Sequence, residues 1–190
     1  ELLLARGRAY RDSKQAELAA ADFEAGIAEV EKHRQSLPPG ESRWGTFDPV
    51  AELFEEAVAS AIQRGDAAAA FAYAERSRAR ELLETLGAAA PVNTPASFAD
   101  DTALVEYFSL PDRLVIFAVS HSGLRIAEER VERTEFEKEA EAFRRALSAG
   151  SPEHRQLGES LYRRLVAPVE HEISASETLI FVPGPRFPSV

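Results

Sequence analysis

The sequence predicts an α+β chain in which a helical N-terminal part precedes an α/β C-terminal part. In the first part, apolar residues recur three and four positions apart, which is the spacing of amphipathic helices. Beyond the Pro-containing segment 88–101, the pattern changes to alternation and to short continuous apolar runs, which are typical of strands. We therefore expect helices at 1–87, a linker at 88–101 and an incomplete α/β region at 102–190.

The composition is that of a globular chain and argues against two classes of partner. Of the 190 residues, 45% are hydrophobic and 28% are charged. The longest strongly apolar run, 114–119, is far shorter than the ~18 residues of a membrane span, so no span is expected. A formal net charge of -10 argues against nucleic acid as the main partner, because phosphate binding depends on clustered Lys and Arg.

The chain contains neither Cys nor Met. Without Cys it can form no disulfide, no thiolate metal site and no Cys nucleophile of its own. This absence favours a reducing, cytoplasmic location. Because a complete protein begins with Met, we expect the sequence to be incomplete.

Small and large residues occur at fixed offsets near the N-terminus. Gly7 and Tyr10 are three apart, and Ala19, Phe23 and Gly26 follow. Small residues let antiparallel helices approach closely, while aromatic residues fill the space between neighbouring helix pairs. These offsets resemble those of a tetratricopeptide repeat (TPR), although the usual Trp and closing Pro are missing. The sequence therefore predicts TPR-like helical hairpins.

A second helix pair is predicted from about residue 49 to residue 86, with a break at Arg64–Asp66. The loop 36–48 between the two pairs contains two Pro and two Gly. We expect Trp44 and Phe47 in this loop to anchor it to the helices, since large aromatic side chains are more often buried than free to stack on a ligand.

The C-terminal part is predicted to begin with a three-stranded meander and to continue with helices. The predicted elements are strands at 104–109, 114–119 and 124–127, helices starting at Thr134 and Ser151, and a final buried strand at 178–182. The buried stripe of the first helix is expected to include Phe136, Ala140, Phe143 and Leu147. Pro168 should break or kink the second helix.

No residue pattern predicts a catalytic, cofactor-binding or metal site. His33, His154 and His171 lie among charged residues, and we expect them to be exposed. His121 lies in the turn 120–122 between two Ser residues, but a catalytic Ser needs an orienting acid and an oxyanion hole, and the sequence indicates neither. Metalloprotease, nucleotide-binding and calcium-loop motifs are also absent from the sequence. We therefore predict no catalytic residue, no cofactor and no metal ligand.

Three phrases in the sequence resemble one known family. They are AYAERSRARELLETLG at 72–87, LYRRLVAPVE at 161–170 and LIFVPGP at 179–185. In amino-acid sequence and in order, they resemble segments of the TPR–CHAT proteins, in which TPR helices lead into a caspase-like domain related to separases. The resemblance covers nearly the whole chain, and it implies that 102–190 is the N-terminal part of a CHAT domain. One departure is Pro183, because the family usually has an Asp before the Gly of this phrase.

The resemblance implies the regulatory and structural front portion of a bacterial, CHAT-type, caspase-like cysteine peptidase. Family members carry their catalytic His and Cys downstream of the third phrase, so this chain would lack the dyad. The TPR-like helices would bind a protein or peptide that regulates the protease. The alternative is a non-catalytic, TPR-type scaffold with a degenerate CHAT-like domain. In either case, the acidity of the chain suggests a partner with a basic face.

The first phrase also contains the densest basic cluster of the chain, Arg76, Arg78 and Arg80. Three Glu residues at 75, 81 and 84 interleave these arginines. Opposite charges three or four residues apart on a helix can pair with each other. We therefore expect a solvated, self-paired helix face here rather than a phosphate-binding site.

Overall fold

The computed structural model describes residues 1–35, 48–86, 101–184 and 187, and for 34, 35, 48 and 79–86 it describes the backbone alone. The predicted anchoring of Trp44 and Phe47 falls outside these residues, as does the predicted linker apart from Asp101. The chain is α+β, as predicted, because helices and a four-stranded mixed sheet are both present. It forms two compact units, Glu1–Thr94 and Pro95–Val190.

The described residues of the first unit form four helices. They are α1 (Leu2–Asp12), α2 (Ala16–Gln35), α3 (Asp48–Gln63) and α4 (Ala67–Leu86). The helices form two pairs, α1 with α2 and α3 with α4, and α2 also packs against α3. Gly65 ends α3 with a positive φ of 74°, a conformation that glycine adopts without strain. The predicted break at Arg64–Asp66 is therefore confirmed.

Two glycines allow the helices of this unit to approach closely. A Cβ at Gly7 would lie 2.5 Å from Cε1 of Phe23, and a Cβ at Gly26 would lie 2.9 Å from Cδ2 of Leu53. Phe23 is completely buried, so it fills the space that Gly7 leaves open. The predicted close approach of helices at small residues is thus confirmed at Gly7 and Gly26, but the space at Gly26 is filled by Leu53 and not by an aromatic residue. The core of the unit consists of Leu4, Ala19, Phe23, Ile27, Val50, Leu53, Phe54 and Ala57.

The second unit contains a four-stranded sheet with the order β3-β2-β1-β4. The strands are β1 (Thr102–Ser109), β2 (Arg113–Ser120), β3 (Gly123–Arg130) and β4 (Thr178–Val182). The first three form the predicted antiparallel meander, and β4 returns to lie parallel to β1. The prediction that β4 is buried is wrong. It is an edge strand that pairs only with β1 among the described strands, and most of its residues are exposed.

Within 101–184, three α-helices and a short 3-10 turn accompany the sheet. They are α5 (Arg133–Ser148), α6 (His154–Leu165), the 3-10 turn Ala167–Val169 and α7 (Glu170–Ile173). The change from α6 to the 3-10 turn occurs just before Pro168, as predicted. The prediction that Leu147 belongs to the buried stripe of α5 is wrong, because Leu147 is 55% exposed and Ala146 is buried instead.

The helices pack on one face of the sheet and form a hydrophobic core with it. Phe136 of α5, Leu161 of α6 and Ile173 of α7 contact the face of β1 and β2 that includes Val105 and Ile116. The hydroxyl of Tyr107, on the same face, donates a hydrogen bond of 3.0 Å to the carbonyl oxygen of Leu165. The opposite face of the sheet includes Glu106, Phe108, Val115 and Phe117, all of them buried.

Candidate functional site

A groove in the first unit is the best candidate for a binding site. It lies where the N-terminal turns of α1 and α3 meet the C-terminal half of α2, and its volume is about 240 Å³. The lining residues are Glu1, Leu3, Leu4, Gly26, Glu29, Val30, Pro49, Val50 and Leu53. We call this site the α1–α3 groove. The sequence did not predict it, because it depends on which helix faces meet.

The groove combines an apolar floor with carboxylates. Gly26 and Leu53 form part of the floor, since the missing side chain at Gly26 leaves room for Leu53. Glu1 and Glu29 are exposed, and neither forms an ion pair with any residue that the structure describes. The volume is below the ~300–1,000 Å³ of pockets for drug-sized ligands. It therefore suits one or two apolar side chains of a partner, with a cation next to them.

Ion pairs between helices hold the walls of the α1–α3 groove in place. Arg8 of α1 donates hydrogen bonds to Glu52 (2.8 Å) and Glu56 (2.7 Å) of α3. Arg6 of α1 binds both carboxylate oxygens of Asp22 of α2, at 2.7 and 2.6 Å. These hydrogen bonds from Arg6 lower the pKa of Asp22. Helix α1 is thus fixed to both of its neighbours by charge-assisted contacts.

Residue Arg76, in the first phrase of the family resemblance, links α4 to α2. It donates hydrogen bonds to Glu31 (3.1 and 3.0 Å) and to Glu24 (3.3 and 3.2 Å), and it lies 5.6 Å above the ring centroid of Tyr73. Burial, and then a hydrogen bond to Glu24, raise the pKa of Tyr73 to about 12. The sequence predicted pairing within the helix, but these contacts join two helices.

For the second arginine of the cluster, a pair within the helix is present, but the expected solvated face is not, because the Glu75 side chain is only 16% exposed. Arg78 forms its ion pair with Glu75, three residues earlier on α4. The side chains at 80, 81 and 84 lie outside the part of the chain that the structure describes. Arg76 and Arg78 are therefore both engaged by carboxylates, which leaves no reason to assign a phosphate site to them.

Residue Arg164, in the second phrase, joins three elements of the second unit. Its guanidinium donates to Glu129 of β3 and to Glu139 of α5, each at 2.9 Å. Glu135 of α5 lies slightly farther away, at 3.9 Å. The Glu139 side chain is only 15% exposed, and it also accepts a hydrogen bond from Ser160. Arg164 therefore neutralises a carboxylate that is largely removed from water.

Residue Gly184, in the third phrase, lies against β1. A Cβ at this position would overlap the carbonyl oxygen of Tyr107, so only glycine fits without moving the backbone. Phe187 follows, with its ring centroid 4.9 Å from that of Tyr107 and 5.4 Å from that of Phe136. The chain after β4 is thus held on the core of the second unit by stacked and edge-to-face aromatic contacts.

The histidines form no catalytic cluster in the described residues. The hydroxyls of Ser120 and Ser122 form a hydrogen bond with each other, with 2.7 Å between the oxygens. The side chain of His121 is exposed and forms no hydrogen bond with any residue that the structure describes. His33 and His171 are exposed, as predicted. The prediction for His154 is wrong, because its ring is half-buried and Nδ1 lies 2.5 Å from the carbonyl oxygen of Ser151.

A search of the described residues finds no group of three or more His, Cys, Asp or Glu side chains that could hold a metal ion. In the same residues, every helix is too short or too polar to cross a bilayer. Comparison of the chain with models of known protein families, with curated proteins and with solved structures finds no match.

Proposed function

We propose that the first unit is a TPR-like protein-interaction module that binds its partner in the α1–α3 groove. The observation that carries this proposal is an open apolar groove flanked by carboxylates without an ion-pair partner among the described residues. A partner segment that inserts an apolar side chain would displace water from the partly exposed side chains of Leu3 and Val30. A Lys or Arg beside that anchor would approach Glu1 and Glu29, and the net charge of -10 would add long-range attraction.

We further propose that the chain is the regulatory and structural front portion of a CHAT-type, caspase-like cysteine peptidase. The three phrases support this proposal, since they occur in the family's order and lie in both units. In this arrangement the partner bound by the helices would regulate a protease whose His and Cys are supplied outside these 190 residues. The alternative is a non-catalytic scaffold that binds its partner in the same way, and both candidates leave these 190 residues without Cys.

Fluorescence anisotropy with labelled peptides tests the binding proposal. The probes are peptides of about twelve residues that contain one Leu flanked by zero, two or four Lys. We expect affinity to rise with the number of Lys and to fall as NaCl increases from about 50 to about 500 mM, because salt screens exposed charges. Affinity that is indifferent to both would refute the electrostatic part of the proposal.

Two matched variants locate the binding site. Glu29→Gln removes a carboxylate of the groove and should weaken binding of the four-Lys peptide about 2- to 5-fold, the effect of losing one exposed ion pair. Glu17→Gln makes the same change on α2 outside the groove, where the carboxylate is 87% exposed and 3.8 Å from Arg64. Equal losses in the two variants would mean that the peptide responds to net charge and not to the groove.

The peptidase proposal is tested separately. The open reading frame that encodes this chain can be sequenced beyond the codon for Val190. A His followed by a Cys in the same frame supports the proposal, and replacement of that Cys should abolish peptide hydrolysis by the longer product. A frame without a Cys favours the scaffold.

A further inference from the structure

The floor of the α1–α3 groove contains a close contact between two helices. Gly26 lies inside α2, and Leu53 lies inside α3. A Cβ at Gly26 would lie 2.9 Å from Cδ2, 3.0 Å from Cδ1 and 3.5 Å from Cγ of Leu53. The two methyl groups of Leu53 therefore occupy the space that any larger residue at position 26 would need.

The backbone does not require glycine at position 26. Gly26 is not among the glycines with a positive φ, and inside a helix glycine is less favourable than alanine. What glycine provides here is room between α2 and α3. Gly7 provides room in the same way, but it faces the ring of Phe23 and does not line the groove. Of these two glycines, Gly26 alone affects the volume of the groove.

An added methyl group at position 26 would make the groove smaller. Leu53 is 4% exposed and belongs to the core that also contains Ile27, Val50 and Phe54. Protein cores are close-packed, so a displaced side chain moves toward empty space. The empty space that both Gly26 and Leu53 border is the groove, with its volume of about 240 Å³. The methyl group itself, or the end of Leu53 that it displaces, would therefore occupy part of the groove.

The other apolar residues of the groove suit a large aliphatic side chain. Leu3, Leu4, Val30 and Val50 also line the groove. A leucine side chain inserted among them would contact several aliphatic groups at once, and each contact adds a small dispersion energy. An alanine side chain would leave most of the space unfilled and would forgo those contacts.

We propose that Gly26 determines which side chain the α1–α3 groove accepts, and that the groove selects a partner segment with a leucine-sized aliphatic anchor next to Lys or Arg. This proposal rests on the proposed binding function of the first unit and adds the size of the anchor to it. The cations of the partner approach Glu1 and Glu29 whatever the anchor is. Charge therefore attracts the segment, and the space at Gly26 selects its anchor.

Fluorescence anisotropy with four-Lys peptides that differ only at the anchor tests this selection on the 190-residue chain. The anchor is Ala, Val or Leu, so the charge of the probe is constant. In the unmodified chain we expect affinity to rise from Ala to Val to Leu, with Leu about 5- to 20-fold tighter than Ala, because each buried methylene adds to the affinity. In Gly26→Ala the Leu peptide should lose about 5- to 10-fold and the Ala peptide at most about twofold, so that the preference for Leu nearly disappears.

Two further variants control this measurement. Gly158→Ala makes the same change inside α6 of the second unit, where the added Cβ would lie 3.3 Å from Phe143, and it should leave the preference for Leu unchanged. The double variant Gly26→Ala, Leu53→Val should recover the preference, since valine lacks the two Cδ atoms that the new Cβ would meet. Because it relieves the crowding, the double variant also tests the proposal where the single variant does not fold. Far-UV circular dichroism verifies the folding of each variant.

The outcomes separate this proposal from the proposed function. If the unmodified chain binds none of the peptides, or binds them equally well after Glu29→Gln, the proposed function fails, and the role of Gly26 fails with it. If binding depends on Glu29 but the preference for Leu survives in Gly26→Ala, or is lost equally in Gly158→Ala, the role of Gly26 alone is refuted. The Leu peptide should also bind a product that includes residues encoded upstream of Glu1, and loss of binding there would overturn both proposals, because the chain itself would then cover the groove.

Discussion

Two helical glycines should respond in opposite directions to substitution by alanine. An added methyl group stabilises a helix by about 1 kcal/mol, because alanine loses less backbone freedom than glycine. At Gly7, however, the new Cβ would lie 2.5 Å from Cε1 of Phe23, whose side chain is completely buried. Overpacking a core costs about 1–3 kcal/mol. We expect Gly7→Ala to destabilise the first unit by up to about 2 kcal/mol after the helical gain is subtracted.

At Gly158 in α6 the same change meets a more tolerant neighbour. The added Cβ would lie 3.3 Å from its nearest atom, Cε2 of Phe143, and Phe143 is only half-buried. A shift of a few tenths of an ångström relieves this contact, so the helical gain should dominate. We expect Gly158→Ala to stabilise the second unit by up to about 1 kcal/mol.

Hydrogen exchange with mass spectrometry resolves the two effects, because it measures the opening free energy of each unit separately. Exchange in α1 and α2 should accelerate in Gly7→Ala, and exchange in α5 and α6 should slow in Gly158→Ala. Gly65→Ala is the control for backbone strain alone, since Gly65 has a φ of 74° and no neighbour within 4 Å of an added Cβ. Stabilisation by Gly7→Ala, or effects of equal sign at Gly7 and Gly158, would refute the close helix approach that we infer.

Three further predictions concern the second unit and the activity of the chain. Arg164→Met should destabilise the second unit by about 1–3 kcal/mol, because Glu139 loses its cation in a largely buried site. Arg144→Met is the control and should cost at most about 0.5 kcal/mol, since the ion pair of Arg144 with Glu141 is exposed. Urea denaturation measures both costs, and similar values would contradict the prediction that burial makes the difference. Burial raises the pKa of Tyr107 to about 12, so the stability that it contributes is fully present below the ordinary pKa of 10.0 and is lost as the pH rises toward 12. Tyr107→Phe should therefore lose stability less steeply over that pH range, and parallel losses would contradict this. Finally, the purified chain should hydrolyse no peptide bond, because it has no Cys and its sequence indicates no other nucleophile with a base beside it; turnover that is abolished by replacing one of its own residues would prove this wrong.

The helices and strands that depend on residues close together in the sequence were predicted correctly. The helices of the first unit, the break at Gly65 and the meander of β1 to β3 follow from periodicity and turn residues that neighbours in sequence supply. The burial of β4 did not follow. Continuous apolar runs occur in central strands and in edge strands alike. The run at 178–182 therefore does not reveal that β4 pairs only with β1 among the described strands.

The ion pairs between elements were missed for a related reason. Arg76 and Glu31 are 45 residues apart, and Arg164 and Glu129 are 35 residues apart, so no local spacing joins them. A charged residue on a helix resembles an ordinary solvated one until the facing element is known. The α1–α3 groove required the same knowledge, because Gly26 leaves a space only where Leu53 of another helix faces it.

The residues that carry the family resemblance have structural roles in the described part of the chain. Arg76 joins α4 to α2, Arg164 joins α6 to α5 and β3, and Gly184 allows the chain to approach β1. A scaffold without catalysis needs these contacts as much as a protease does, since both depend on the same packing. The resemblance therefore bears on the fold alone. Peptidase chemistry requires a thiol and a base that activates it. Partner binding and peptide hydrolysis are therefore separate properties. The effect of Glu29→Gln on binding can be measured on the 190-residue chain whether the parent protein is a peptidase or a scaffold.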